Sequence, residues 1–381
     1  MIGLQYLKRI SQLLNDSHPS EAWLDKKTSF DFLYDAAREY VRRTSCLRSV
    51  QNITTIAPKT ITGASKALPC SITCAAHGLT TGTTVLIKDI VGMNELNSRR
   101  CVITRTGAGT FTLDGIDSSG YTTYSSGGTV YPMSYICNYD FLNIYQFNPD
   151  SGRKCIQFTD GTSTYFVDQY DYDDIAWENI IDTNTYPKKF SIIPQYALPS
   201  TLSGSATSAG AHIGGESILT DSTAPFASIN AGDEIINKAY GYLGIVLANI
   251  STSALKTAIF NFSSNLTAYA SWTSSDTYQI IPRPKFQLIL DTPLSLGGNT
   301  ITATYVQSPI PVYSDYGSYT FPSGGEEALI NYAAWLYKYR EKEPSMGDRF
   351  YAFWEKQCSS MASRFDYATS REIKTTNRYR I

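Results

Sequence analysis

Asp168, Asp171, Asp173, Asp174 and Glu178 lie within a few residues of one another. Two chemistries use such a set. A pair of carboxylates can hydrolyse a glycosidic bond as acid and base or nucleophile, and an Asp-rich loop can hold Ca²⁺. The second fails the usual loop pattern: counting from Asp171, the sixth position is not Gly and the twelfth is not Glu. A loop running into a helix near Asp174–Ile180 explains the same residues, because carboxylates at a helix start accept its unpaired amide protons and suit its dipole. The three histidines, His18, His77 and His212, fall before Pro19, before Gly78 and in a Ser/Gly stretch, and are read as turn or surface residues. The cysteines are Cys46, Cys70, Cys74, Cys101, Cys137, Cys155 and Cys358. Cys70 and Cys74 fall in a strand-like stretch spanning about 13 Å, too far for a disulfide, whose Cα atoms lie within about 7 Å. Reduced thiols of a cytosolic chain are expected. No Cys-x-x-Cys, His-Glu-x-x-His, Gly-x-Ser-x-Gly or phosphate-binding loop occurs. The expectation is a protein that is not an enzyme, with no cofactor and no metal.

The C-terminus carries a different kind of chemistry. Arg371, Lys374, Arg378 and Arg380 face the single acid Glu372, beside Tyr379 and Ile381. Beyond Phe365 no apolar helical stripe continues. Such a tail is expected to be flexible alone and to order on a partner, its cations pairing with carboxylates and its two apolar residues filling pockets.

The chain that must position these groups has 381 residues, a net charge of −2, 42% hydrophobic and only 17% charged residues, with 28 Tyr. So apolar a chain buries a core and is not disordered. Near-neutrality, with basic runs of two or three at most, argues against a nucleic-acid coat. No apolar stretch approaches the roughly 18 residues of a membrane span, and Met1–Leu14 does not read as a signal peptide. Four Asn-x-Ser/Thr matches (Asn52, Asn249, Asn261, Asn265) are read as chance.

Helical periodicity marks both ends. Leu4, Leu7, Ile10 and Leu14 form one stripe. A second helix is expected from Thr28, with Asp31 as capping partner, burying Phe30, Leu33, Ala37 and Tyr40/Val41. Ser323 and Glu326 signal a third, with Leu329, Tyr332/Ala333 and Leu336 inward. A fourth starts near Ser345 and carries Trp354, Cys358, Met361 and Phe365. The predicted fold class is α+β: terminal helices forming one bundle, packed through Leu33, Tyr40, Leu336, Trp354, Met361 and Phe365, around a mainly β centre. In that centre Lys154–Phe158 and Thr164–Val167 flank the hairpin turn Asp160-Gly161, after a turn at Asn148–Gly152. Phe286, Leu288 and Leu290, like Ile301, Ala303 and Tyr305, alternate as half-buried strands. Two Thr/Gly/Ser-rich blocks interrupt it. The first holds strands near Thr83–Ile87, Arg100–Thr106 and Thr110–Leu113, and the phrase Gly232–Ile236 in the second echoes Gly82–Leu86. The expected domains are a core of 1–59, 132–202 and 281–381, with inserted β-modules at 60–131 and 203–280.

This order of elements resembles the head-to-tail connector adaptors, or head-completion proteins, of tailed bacteriophages. The stretch Tyr135–Ile144, the strand at Ile280–Pro284 and the Ala/Tyr-rich helix Ala328–Tyr339 carry the likeness. Separately, His77-Gly78-Leu79, Val91–Asn97 and Thr110–Gly115 resemble a small β-barrel first named in ubiquitin-activating enzymes, which has no catalytic residues of its own and recurs as a decoration in phage structural proteins. The segment Gly232–Ile280 is similar to other β-modules of phage proteins. The first resemblance implies a virion protein of the neck, assembled in the bacterial cytoplasm. It would form a ring, dodecameric in that family, beneath the portal protein and above a tail or nozzle protein. DNA would pass through without specific binding, with no membrane contact, and the cationic tail (Arg371, Lys374, Arg378, Tyr379, Arg380, Ile381) would lie on the portal. The alternative is a tail-associated carbohydrate-binding protein or depolymerase using Asp168–Glu178.

Overall fold

The computed structural model describes residues 1–14, 26–147, 154–172, 185–195, 200–223, 226–262, 268–321, 325–340 and 344–377. Helices α1 (Gly3–Leu13) and α2 (Lys26–Thr44) lead into strand β1 (Arg48–Thr54). Seven strands then build a first small sheet: β2 (Lys59–Thr60), β3 (Gly63–Ala64), β4 (Cys70–Thr73), β5 (Thr84–Val91), β6 (Arg99–Arg105), β7 (Thr110–Leu113) and β8 (Ser126–Pro132). Five more follow, β9 (Ser134–Ile136), β10 (Phe141–Ile144), β11 (Ile156–Thr159), β12 (Thr164–Gln169) and β13 (Lys189–Pro194). A second small sheet comprises β14 (Leu202–Ser205), β15 (Ser217–Thr220), β16 (Glu234–Asn237), β17 (Tyr242–Ser251), β18 (Ala254–Asn261), β19 (Ala268–Tyr269) and β20 (Thr277–Ile281). The chain closes with β21 (Phe286–Leu290), β22 (Thr300–Gln307), α3 (Gly325–Arg340) and α4 (Pro344–Asn377).

The described residues fall into two compact units, one of Met1–Arg48, Pro199–Arg283 and Val306–Ile381, the other of Ser49–Leu198 and Pro284–Tyr305. The second unit holds the first small sheet, ordered β2-β8-β5-β6-β7-β4-β3, and an eight-stranded sheet ordered β1-β22-β11-β12-β13-β21-β9 with β10 beside β22. Phe158, Phe190, Leu288, Leu290, Ile301 and Tyr305 fill the core of the larger sheet. Its two edges are tied by one side chain. Gln51 of β1 donates from Nε2 to the Ile136 carbonyl (3.2 Å) and accepts from the Asn138 amide at Oε1 (2.9 Å), giving the β9 edge the donor and acceptor of a missing strand. The hairpin at Asp160 forms as its sequence dictates: Ile156 pairs with Val167 and Thr159 with Thr164, and Asp160 Oδ1 accepts from the Thr162 and Ser163 amides. β21 departs from its alternating pattern, since Gln287 and Ile289 are as buried as Leu288. Its other face takes Ile193 and, through Gln287 Oε1, the Ser134 hydroxyl.

The first unit overturns the expected fold class. The chain is mainly β, about 38% strand and 22% helix, and the four helices of the described residues are not a bundle capping a β centre. Their apolar faces (Tyr6, Phe30, Leu33, Tyr40, Leu329, Trp354) share one core with Ile245, Leu247, Ala258 and Phe260 of β17–β18 and with Val312, Tyr313 and Tyr319. The reason is geometric. A stripe states that a face must be covered, not by what, and β17–β18 offers the apolar side chains of Ile245, Leu247 and Phe260.

The stripes themselves shift. On α1 the buried residues are Gly3, Tyr6 and Ile10, while Leu4 is exposed. α2 starts at Lys26, and Asp31 pairs with Lys27 and accepts the Tyr313 hydroxyl (2.7 Å). α3 buries Ala328, Leu329, Ile330, Ala333, Ala334 and Tyr337, leaving Leu336 half-buried. The Ser323 cap, the Asn148–Gly152 turn and the helix near Asp174–Ile180 lie outside the described residues.

Candidate functional site

Of the acidic cluster weighed for catalysis, Asp168 and Asp171 are among the described residues. Asp168 is half exposed and ion-paired to Lys154 (2.7 Å). Asp173, Asp174 and Glu178 lie outside the described residues, as does His18. His212 is exposed, its backbone amide donating to Ser271 Oγ (3.1 Å). His77 is not a surface residue but fully buried. Its Nδ1 accepts from the Leu79 amide (3.1 Å) and its Nε2 lies 3.1 Å from the Gly107 carbonyl, so the ring is a neutral tautomer serving as a turn-former. The cysteines are all free. Burial pushes the thiol of Cys101 up to about 11 and those of Cys137 and Cys358 to about 12, so they pack as small hydrophobes. Among the described residues no group of three or more His, Cys, Asp or Glu is placed to hold a metal ion, and no helix is long and apolar enough to cross a membrane.

A site of another kind is built by α3 and α4. The two helices run back along each other: Trp335 meets Tyr351 (ring centroids 5.0 Å), Tyr332 meets Trp354 (4.8 Å) and Asn331 Nδ2 reaches Gln357 Oε1 (3.3 Å). Trp335 also packs on Tyr332 (5.0 Å) and Tyr339 (5.6 Å), and Tyr351 on Trp354 (5.1 Å). The result is a continuous aromatic surface with a buried end at Trp354 and an open end at Tyr339, which is 60% exposed. Helical spacing makes it, because residues three and four apart share a face.

Charge borders this surface. The Arg43 guanidinium sits 5.4 Å from the Trp354 ring centroid, a cation–π distance. Arg43 and Arg42 both hold Glu39, at 3.3 and 2.7 Å. Burial opposes ionisation of Glu39, but the hydrogen bonds and charges of Arg42 and Arg43 outweigh it and keep the carboxyl below its usual range. Burial, reinforced by that carboxylate, pushes the Tyr332 hydroxyl up to about 12. Aromatic rings with arginine at a partly exposed face are the composition that carries binding energy between proteins.

Of the residues expected to pack the helices, Leu33, Tyr40, Trp354 and Met361 share the one buried cluster and Leu336 lies outside it. Phe365, Arg371 and Lys374 lie on α4, whose side chains past Ala362 are not described. Arg378, Tyr379, Arg380 and Ile381 lie outside the described residues. As far as Asn377 the backbone of α4 is helical. Elongation adds one hydrogen bond per residue once a helix is nucleated, and Ala, Arg, Glu and Lys are good helix formers. The inward spacing of Tyr332 and Leu336 hides this surface in the sequence, and Tyr332 does pack against the buried helical core as well. Its signal in the sequence is the i, i+3, i+7 spacing of Tyr332, Trp335 and Tyr339.

In the other unit, the first small sheet sets Ile72, Val85, Ile87, Ile103, Phe111 and Leu113 inward. It joins the larger sheet through buried hydrogen bonds: Ser134 Oγ accepts the Thr84 amide (2.8 Å) and donates to Gln287 Oε1 (3.0 Å). No curated protein matches this chain. Residues 69–133 match the FCCH domain family of the ubiquitin-activating enzyme E1, so this segment is similar to that domain.

Proposed function

We propose that the chain is a structural virion protein, a head-to-tail adaptor of the tailed-phage neck that forms a ring beneath the portal and lets DNA pass. The observation that carries this reading is the aromatic–arginine surface of α3–α4, whose chemistry suits a protein partner. The order of elements that resembles the connector adaptors supports it further. In this reading a second copy of the chain covers the open end at Trp335 and Tyr339. The modules at 60–131 and 203–280 are inserts, and the C-terminal segment with Arg371 and Lys374 meets the portal. Of the carboxylates that the depolymerase alternative would use, Asp168 is engaged by Lys154.

The test is electron microscopy and light scattering of the purified chain, alone and mixed with portal rings. Rings, or portal particles bearing an added ring of density, are expected. A chain that stays monomeric in both conditions overturns the proposal. Truncation after Tyr367 separates the two contacts: it should reduce co-sedimentation with portal, while Trp335→Ala with Tyr339→Ala should reduce ring formation.

A further inference from the structure

The two small sheets follow one plan. Matching β2 with β14, β4 with β15, β5 with β16, β6 with β17, β7 with β18 and β8 with β20 turns the order β2-β8-β5-β6-β7-β4 into β14-β20-β16-β17-β18-β15. Every neighbouring pair in both is antiparallel. The registers agree as well. Thr60 lies opposite Thr129 and Ser205 opposite Thr277; Val85 lies between Cys101 and Pro132, and Ile235 between Gly244 and Ile280.

Strand order alone could recur by chance in small barrels; matching local bonds at matching points do not follow from it. Each sheet is closed by the chain that follows its first strand. Ile61 N donates to Gly128 O and Thr62 N to Thr73 O; Ala206 N donates to Asp276 O and Thr207 N to Thr220 O. Both threonine hydroxyls reach the same carbonyls as their own amides, Thr62 Oγ1 to Thr73 O (3.3 Å) and Thr207 Oγ1 to Thr220 O (3.1 Å). The third strand is entered each time through a glycine with positive φ, Gly82 at 87° and Gly232 at 96°, a conformation other residues rarely hold. Gly82 N bonds Ile103 O and Ile103 N bonds Thr83 O, while Gly232 N bonds Val246 O and Val246 N bonds Asp233 O.

We infer that residues 200–281 are a second, divergent copy of the barrel matched at 69–133, and that this copy has become the intramolecular seat of the chain's helices. Its Ile245 and Leu247 are 6% and 7% exposed within the helical core, and Phe260 beside them meets Tyr313, itself packed on Phe30 and Tyr34 of α2. The equivalent positions of the first copy are Val102 and Thr104, both partly exposed. The interior diverged in a coupled way. Where the first copy has Ile87 and Gly128, the second has Asn237 and Asp276, joined by a buried hydrogen bond of 2.8 Å. That exchange places a polar pair in the interior while the strand pairing around it is kept. Asp233 adds a clamp: it accepts the Arg283 amide (2.9 Å), and the Arg283 guanidinium donates to Tyr34 of α2 (3.0 Å).

Two experiments on the full chain test the inference. Thr60–Thr129 and Ser205–Thr277 are each next to a hydrogen-bonded pair, so they are the close, non-hydrogen-bonded kind whose cysteines can bridge. Thr60→Cys with Thr129→Cys, and Ser205→Cys with Thr277→Cys, should both oxidise, read by peptide mass. Ser205→Cys with Tyr278→Cys, one residue out of register, should not. Closure of the first pair without the second, or closure of the shifted pair, overturns the duplication. For the seat, Ile245→Val with Leu247→Thr installs the first copy's residues. Amide exchange in α2 should accelerate on the order of tenfold or more while β16 and β20 keep their protection. Unchanged exchange in α2, or equal loss in the barrel, overturns the docking role.

Discussion

Replacing His77 by Ala should destabilise the first barrel by an amount its surroundings fix. The ring is fully buried, and Leu79, whose amide it accepts, is buried too. Gly107 O keeps a second donor, the Arg105 guanidinium at 3.2 Å, so Ala orphans only the Leu79 N–H, at about 1–3 kcal/mol. The imidazole also stands edge-on to Phe111, with centroids 5.2 Å apart at 71°, a contact worth about 0.5–1.5 kcal/mol. Together these give about 1.5–4.5 kcal/mol, equivalent to a fall in Tm of roughly 3–18 °C for a unit of this size. Two variants divide the loss. His77→Asn keeps an acceptor near Nδ1 but loses the ring; His77→Phe keeps the ring and loses the acceptor. Both should fall between wild type and Ala. The assay is urea unfolding followed by circular dichroism, with amide exchange of peptides spanning residues 70–87 to assign the loss. A midpoint for Ala within about 0.5 kcal/mol of wild type, or Asn no more stable than Ala, refutes the reasoning.

Gln51→Ala leaves the Ile136 carbonyl and Asn138 amide without their partner; stability should drop by about 1 kcal/mol and the freed β9 edge should raise concentration-dependent aggregation in light scattering. Phe260→Ala removes the ring joining the second barrel to Tyr313, and should cost about 3–5 kcal/mol in chemical unfolding, with near-ultraviolet dichroism lost before the far-ultraviolet strand signal. Thiol alkylation of the native chain at pH 8 should leave Cys101, Cys137 and Cys358 unmodified until denaturant is added, because burial holds their pKa at about 11 to 12; labelling of any of the three in the native state contradicts their packing. Tyr332 is raised from 10.0 to about 12 by burial and the Glu39 carboxylate. The unfolded chain loses that proton first as pH rises, so the stability Tyr332 contributes should be full below pH 10 and decline between 10 and 12, read as the difference in unfolding free energy between wild type and Tyr332→Phe across that range.

The sequence by itself determined whatever depends on neighbours along the chain. The strand Thr110–Leu113 and the turn before it, the Asp160 hairpin and the inward face of α2 follow from period, turn chemistry and side-chain shape. It also showed the barrel likeness that is matched at residues 69–133, since barrel strands and their glycine turns are local signals. What only the tertiary structure decided is which surfaces meet. Ile245 and Leu247 read as ordinary strand residues until the helices cover them. β21 alternates in sequence yet is buried on both faces. His77 sits in a turn, where solvent is the usual surrounding, but that turn lies against Phe111. Leu4 belongs to the α1 stripe by spacing and loses its place to Tyr6, which meets Tyr319 from far along the chain. Periodicity states how much apolar surface must leave water; the partner that covers it is chosen by packing among segments distant in sequence, a property no local window contains.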